Sequence, residues 1–381
     1  AVPISAERNS LENDFLRVEI NQNGTLEIFA KETGEFFSEV AYFQDEIDLG
    51  RFSVEDKTAT HIPLTTKKLH PQIKLLYNSP KAAAYKIEYF WEIPEMFNWK
   101  NSRRSPRHET IKISEIVTLS SLSRMIDLKI EINDHACDHM IKICFPIEFV
   151  PENTYTDGFF SVETRPLNGL QNLHCQAFSM GNFVGVSNES GGFAIFSDGI
   201  NEYQLLKGKH NVLTLTLVRD FPIVRSKKTG GPILSRNEKT EVHLSIYPRL
   251  SDWTSSDILT EAIIFNNPII IRQMDQTNGY LPAKMQFLKV TPDTLFYSAL
   301  KPTEDEKDVV LRLYNPTRNI IVGEIATYIP IKAARYLTVE EHIIAPLEIS
   351  DPYRLKVKVF PQKIMTLKII FDRLPINSSS S

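Results

Sequence analysis

The strongest constraint on this chain is its punctuation. From residue 15 to 248 it is cut into short apolar or alternating runs: "FLRVEI" (15–20), "GTLEIFA" (24–30), "QIKLLY" (72–77), "AAYKIEYFWEI" (83–93), "TIKISEIVTL" (110–119), "MIDLKIEI" (125–132), "MIKICFPIEF" (140–149), "FVGVSN" (183–188), "GFAIFSDG" (192–199), "VLTLTLVRDF" (212–221) and "EVHLSIYP" (241–248). Asn-Gly, Asp-Gly, Gly-Gly and Pro separate them at the spacing of antiparallel sheets. Val, Ile, Thr, Phe and Tyr dominate, as a half-buried pleated surface prefers. At "QNGT" (22–25) an Asn-Gly hairpin is expected, with Gly24 taking the positive φ of a primed turn. Strands do not alternate with helices, so a doubly wound sheet or a TIM barrel does not fit.

One helical signal stands out, "SDWTSSDILTEAIIFNN" (251–267). Ser255, Ser256 or Asp257 can cap it, Ile258, Leu259, Ala262, Ile263 and Phe265 form its apolar stripe, and Pro268 stops it. "NPIIIRQMDQTNGYLPAK" follows as a connector with a turn at Asn278-Gly279. Strands then resume: "MQFLKV", "LFYSAL", "VVLRLYN", "GEIATYIP", "AARYLTV", "RLKVKVF" and "IMTLKIIFD". About seven strands in some ninety residues is the rhythm of an immunoglobulin-like sandwich. The expected organisation is all-β: a large antiparallel β domain over 1–260, a connector over 261–282, a small β-sandwich over 283–372 and a disordered tail over 373–381. Within the phrase "LFYSALKPTEDEKDVVLRLYNPT" (295–317), Leu295, Tyr297 and Ala299 should alternate on one strand and Val309, Leu311 and Leu313 on the next. Arg312 would then point away from that core, free to anchor the sandwich to another domain.

The formal charge of −4 argues against nucleic acid as a partner, since phosphate contacts need a concentrated excess of Lys and Arg. The basic cluster "KNSRRSPRHE" (100–109) reads as a solvated loop. Three cysteines, Cys137, Cys144 and Cys175, make no disulfide framework and fit a reducing compartment. No run of about 18 apolar residues is present, so no membrane span is expected. The opening "AVPISAERNS" has neither the basic nor the apolar region of a signal peptide and lacks an initiator Met, as a processed or excised piece would. A cytoplasmic setting is expected.

Chemistry is sparse. His135, Cys137 and His139 in "DHACDHMIKIC" (134–144) would share one face of a strand, the spacing a zinc site can use. A further ligand and outer partners are not visible, so no metal site is expected there. Neither a GxSxG elbow, an HExxH helix, a P-loop nor a dinucleotide fingerprint occurs. A glycosidase needs two carboxylates, but with 47 Asp and Glu any pair could be proposed. Trp91, Trp99 and Trp253 could stack on sugars, though such aromatics are more often core.

Several phrases taken in order carry a resemblance. "LENDFLRVEINQNGTLEIFAKETG" (11–34), "RMIDLKIEINDHACDHMIKICFPIEF" (124–149, with His139 and Pro146), "FFSVETRPL" (159–167), "FVGVSNESGGFAIFSDGINEYQL" (183–205), "TLTLVRDFPIVRSKKTGGP" (214–232), "FYSALKPTEDEKDVVLRLYNPT" (296–317) and "IMTLKIIF" (364–371) resemble, co-linearly, the C-terminal β region of glycoside hydrolase family 38, the α-mannosidases. The resemblance implies a galactose-mutarotase-like super-sandwich followed by the small sandwich. It also implies a partner, the N-terminal catalytic domain of the same enzyme, and a mannose-containing carbohydrate as substrate; a homo-oligomer is left open.

The family's nucleophile, acid/base carboxylate and zinc ligands lie in that missing domain. No catalytic residue and no cofactor are therefore expected here, and zinc is implied only for the complete enzyme. By resemblance, two loops approach the substrate: "DLGRFSVED" (48–56), with Asp48 and Phe52, and the loop holding Arg225, Gly230 and Gly231, for which an exposed basic hairpin is the other reading. Phe52 stands where the family often has Tyr, so a hydroxyl contact would be lost. Two other readings are a stand-alone carbohydrate-binding or interaction module, and an intact small glycosidase using Asp and Glu pairs.

Overall fold

The computed structural model describes residues 5–7, 9–48, 62–98, 101–167, 177–189, 191–208, 211–220, 239–249, 253–255, 257–275 and 282–372. Phe52, Arg225, Gly230, Gly231, Trp99, Cys175, the Asn278-Gly279 turn and the tail 373–381 lie outside the described residues. The chain separates into two compact units, one of Ala1–Thr156 with Thr164–Asn267, the other of Asp157–Glu163 with Pro268–Ser381. Strands are the dominant element of both, and the described ladders are antiparallel. The all-β expectation holds.

In the larger unit three sheets turn their apolar faces into one core. The first joins Leu16–Ile20, Leu26–Ala30 and Glu35–Val40 to two short N-terminal strands. Its Leu16, Val18, Ile20, Leu26 and Ile28 are buried, as alternation of side chains across a strand requires. The second has nine strands and centres on Ala82–Pro94, His108–Ser120 and Ile126–Asn133, where every other residue enters the core. The third has six strands, with His139–Ile147 held between Tyr42–Ile47 and Asn211–Asp220.

The turn at Gly24 is a five-residue loop rather than a two-residue one, because Asn21 N–H closes onto the Thr25 carbonyl at 2.8 Å. Gly24 has φ +84, and a Cβ there would lie 2.0 Å from the Tyr89 hydroxyl. Glycine is required on both counts. The helix is shorter than expected, Ile258–Asn266, with Asp257 at its N-cap. The Asp257 carboxylate does not cap it; it accepts from the Tyr247 hydroxyl at 2.5 Å. No helix among the described residues is long and apolar enough to cross a membrane.

The smaller unit is a sandwich of a three-stranded and a five-stranded sheet. It has an eighth strand, Ile343–Leu347, which the sequence reading missed because it contains Pro346. It is an edge strand, where a missing N–H is tolerated. Leu311 and Leu313 are fully buried, as alternation predicts, but Leu295 is 3% exposed and Tyr297 60%. Leu295 precedes the strand, which starts at Phe296, and a register shift between Tyr297 and Ala299 breaks the alternation beyond it. Arg312 is no free anchor: it donates to the Val339 carbonyl at 2.9 Å and to Thr366 Oγ1 at 3.3 Å, inside its own sandwich.

Buried asparagines explain two of the phrases. Asn13, in "LEN", donates to the carbonyls of Ser120 and Ser123 and accepts from the backbone of Phe15 and Leu16, all at 2.8 Å. Asn315, in "YNPT", donates to the carbonyls of Asn319, Val359 and Phe360 and accepts from Thr317. Each pins distant backbone that would otherwise be buried without partners.

Candidate functional site

One end of the six-stranded sheet collects the polar side chains. His139, the first residue of its strand, pairs with Ile47 on one side and Asp220 on the other. Asp48 and Arg219 therefore lie at the same end of adjacent ladders. Arg219 donates through Nε to Asp48 Oδ2 at 2.5 Å and through Nη1 to Glu202 Oε2 at 3.0 Å. Thr216 Oγ1 holds the other Glu202 oxygen at 2.9 Å. Further along, Lys142, 1% exposed, donates from Nζ to Glu46 Oε2 and Gln204 Oε1, both at 2.6 Å. These two short contacts offset the cost of burying the side chain's polar end.

A second ionic group sits in the core. His139 Nδ1 lies 2.7 Å from Asp45 Oδ1 and its Nε2 lies 2.9 Å from Asp134 Oδ2. Burial opposes the imidazolium, but hydrogen bonds to Asp134 and Asp45, and their charges, outweigh it and bring the pKa up to about 9. At neutral pH the ring is charged and donates from both nitrogens. Arg104 also ion-pairs with Asp45. The basic cluster is exposed over most of its described length, as expected, except that Arg103–Arg104 forms a short strand paired to Phe97–Asn98 and Arg104 turns inward to Asp45.

The proposed strand face of His135, Cys137 and His139 does not form. Residues 134–137 are irregular, Asp138 has φ +58, and the strand begins at His139. His135 is exposed and Cys137 half-buried, while both ring nitrogens of His139 are committed to carboxylates. Among the described residues no group of three or more His, Cys, Asp or Glu is arranged to hold a metal ion.

Of the five residues expected to approach substrate, the structure places Asp48, which is 4% exposed and clamped by Arg219. Phe52, Arg225, Gly230 and Gly231 lie outside the described residues. Their two segments, 49–61 and 221–238, nevertheless leave from Asp48 and Asp220, on the two strands that flank the start of the His139 strand. The Asp48–Arg219 ion pair ties those roots together. Asp48 and Glu202 thus hold the same guanidinium.

Sequence reasoning missed Arg104, Asp134, Glu202 and Arg219, though three of them stand inside the quoted family phrases. Asp134 precedes "HACDH", Glu202 is in "NEY" and Arg219 is in "LVRD". Arg165, of "TRP", belongs with them, since it donates to Thr156 Oγ1 at 2.9 Å and to the Tyr203 hydroxyl at 3.2 Å. The phrases thus mark residues far apart in the chain that meet as hydrogen-bonded partners.

Comparison with known proteins places these features. The profile for the glycosyl hydrolases family 38 C-terminal domain matches residues 11–222, and that for the family 38 C-terminal beta sandwich domain matches residues 294–367. A Halalkalibacterium halodurans protein provisionally named mannosylglycerate hydrolase is 24% identical over 380 residues, covering 94% of this chain and 41% of the relative. The structure of a protein in glycosyl hydrolase family 38 from Enterococcus faecalis matches with a TM-score of 0.80 at 23% identity, over 96% of this chain and 44% of that one. That of an alpha-mannosidase from Enterococcus faecalis V583 matches with a TM-score of 0.81 at 22% identity, over 96% and 42%. The chain therefore spans less than half the length of these relatives.

Proposed function

The chain belongs to glycoside hydrolase family 38, as its C-terminal β region, and we propose that it serves a longer enzyme that hydrolyses α-mannosidic bonds. In this reading the reacting groups and the zinc belong to an N-terminal catalytic domain outside the chain. The β region buttresses that domain and lends two loops to a mannose-containing substrate. The observation that carries the reading is the Asp48–Arg219–Glu202 clamp, which roots segments 49–61 and 221–238 side by side. A rigid base is what a loop needs to hold a substrate contact to within a fraction of an ångström. We place the enzyme in the cytoplasm, with the buried, unoxidised thiol of Cys144 as support.

The test is hydrolysis of 4-nitrophenyl α-D-mannopyranoside. This chain alone should give no turnover, whereas a longer enzyme containing it should. In the longer enzyme Arg219→Ala should lower kcat/KM by roughly 10-fold or more by loosening both loops. Zinc-dependent turnover by this chain alone would sink the reading, and so would an Arg219→Ala enzyme of unchanged kcat/KM.

A further inference from the structure

On the outer face of the first sheet lies a patch that neither the core nor the loop roots use. Phe29 pairs directly with Phe36 across Leu26–Ala30 and Glu35–Val40, and Arg17 faces Phe29 from Leu16–Ile20. Two residues further along, on the same face, Glu19 faces Glu27. These five side chains line a cavity of about 210 Å³. Phe29 is 39% exposed and Phe36 53%.

Two features of this patch run against the fold's own interest. Two large aromatic rings stand side by side in water, each forfeiting the stabilisation that burial would give. Two carboxylates face each other across a ladder, where like charges are destabilising. Arg17 offsets part of that cost by donating to Glu19, and Asn21 Nδ2 holds Glu27 Oε1 at 2.8 Å. Departures from local preference of this kind gather at functional sites.

The lining sets the chemistry of the occupant. Ionised carboxylates only accept hydrogen bonds and a guanidinium only donates them, so the occupant must offer both several donors and an acceptor. It must also have a flat apolar face for the two rings. The cavity lies below the roughly 300 Å³ of a drug-sized pocket and is in the size class of a single sugar ring. A pyranose has this mixed character: C–H bonds on one face and a rim of hydroxyls that both donate and accept.

We propose that the outer face of Leu16–Ile20, Leu26–Ala30 and Glu35–Val40 is a surface carbohydrate site, in which Phe29 and Phe36 stack on one hexopyranose unit while Glu19, Glu27 and Arg17 hold its hydroxyls. It is separate from the loop roots of the six-stranded sheet and needs no catalysis. Its role is to hold a glycan against the protein, so that the local concentration of chain ends rises.

The proposal is tested on this 381-residue chain by saturation-transfer NMR with methyl α-D-mannopyranoside, and by retardation in native gels containing soluble mannan. Transfer to the ring protons and retardation are expected for the unsubstituted chain. Both should fall at least 10-fold in the double variant Phe29→Ala/Phe36→Ala and about 3-fold or more in Glu27→Gln, which keeps the shape of the side chain. Phe90→Ala, at another exposed phenylalanine, should change nothing. Absence of transfer and retardation in the unsubstituted chain would overturn the proposal, as would equal binding by all variants. Binding of a lysine tripeptide at the same residues, without sugar binding, would assign the patch to a cationic peptide and overturn it too.

Discussion

In the larger unit Asp45, Asp48, Glu115, Asp134, His139 and Lys142 are all at most 6% exposed, whereas the buried polar side chains described in the smaller unit are Asn315, Thr327 and Thr366, none of them ionisable. Both units are antiparallel sandwiches with dense aliphatic cores, so topology does not account for the difference. Removing a charge from water costs several kcal/mol unless partners replace the hydration. The larger unit meets that cost with networks that fix strand ends and loop roots, at the end of the sheet from which segments 49–61 and 221–238 depart. The smaller unit has no such end, and apolar packing sets its stability.

Glu115 is the exception within the larger unit. It lies on the core face of His108–Ser120 with both carboxylate oxygens lacking a hydrogen-bond partner, and the buried Tyr89 hydroxyl on the neighbouring strand lacks one as well. Burial raises the Glu115 pKa to about 8, so at neutral pH it is largely protonated. The two units should accordingly answer pH and mutation differently.

The largest effect is expected at His139. His139→Ala leaves Asp45 and Asp134 facing each other without the cation between them, and should destabilise the larger unit by about 3–5 kcal/mol. In the unsubstituted chain the imidazole's contribution is fully present below pH 6.5 and is lost as pH rises through about 9, because the folded state holds the proton more tightly. Urea denaturation followed at pH 6, 8 and 10 checks both statements. A variant as stable as the parent at pH 6 would show that the network is not a stabilising one.

Next comes Glu115→Gln. The wild-type carboxyl contributes fully below pH 4.5, and that contribution is lost as pH rises toward 8, where only the folded state still holds the proton. The amide removes this slope, so the variant should gain about 2–4 kcal/mol relative to wild type between those limits. An unchanged pH profile would mean that the carboxyl finds solvent or a partner in solution.

In the smaller unit Leu311→Ala should cost about 3 kcal/mol, within the range for a fully buried leucine, and the loss should be the same at every pH. Glu304→Ala, in the exposed loop between its strands, should cost nearly nothing. A pH-dependent Leu311→Ala effect would blur the contrast between the units. Small as well is Glu32→Gln in the larger unit. It breaks a bidentate pair with Arg124 at 2.8 and 3.0 Å, but both side chains are about 40% exposed, and the loss should stay under about 1 kcal/mol and fade with salt.

Strand positions were largely legible, because side-chain alternation is a local property that burial reads directly. The eighth strand of the small sandwich was not, since Pro346 is forbidden in a central strand yet harmless on an edge, and edge status is a tertiary fact. Arg104 was misread for a similar reason. Charge in a Pro- and Ser-rich stretch looks solvated until the fold brings Asp45, 59 residues away, within reach.

The sequence by itself determined the all-β class, the helix near 258–266 and the family, because periodicity and ordered phrases survive in one dimension. It also held the ingredients of the site without their pairing. Only the tertiary structure decided that Asp48 meets Arg219 across 171 positions, that His139 is a clamped imidazolium rather than a ligand, and that Phe29 and Phe36 stand side by side in solvent. The physical reason is that hydrogen bonds and ion pairs act over a few ångströms of space, and a residue's spatial neighbours are set by strand order and register, which local sequence does not specify.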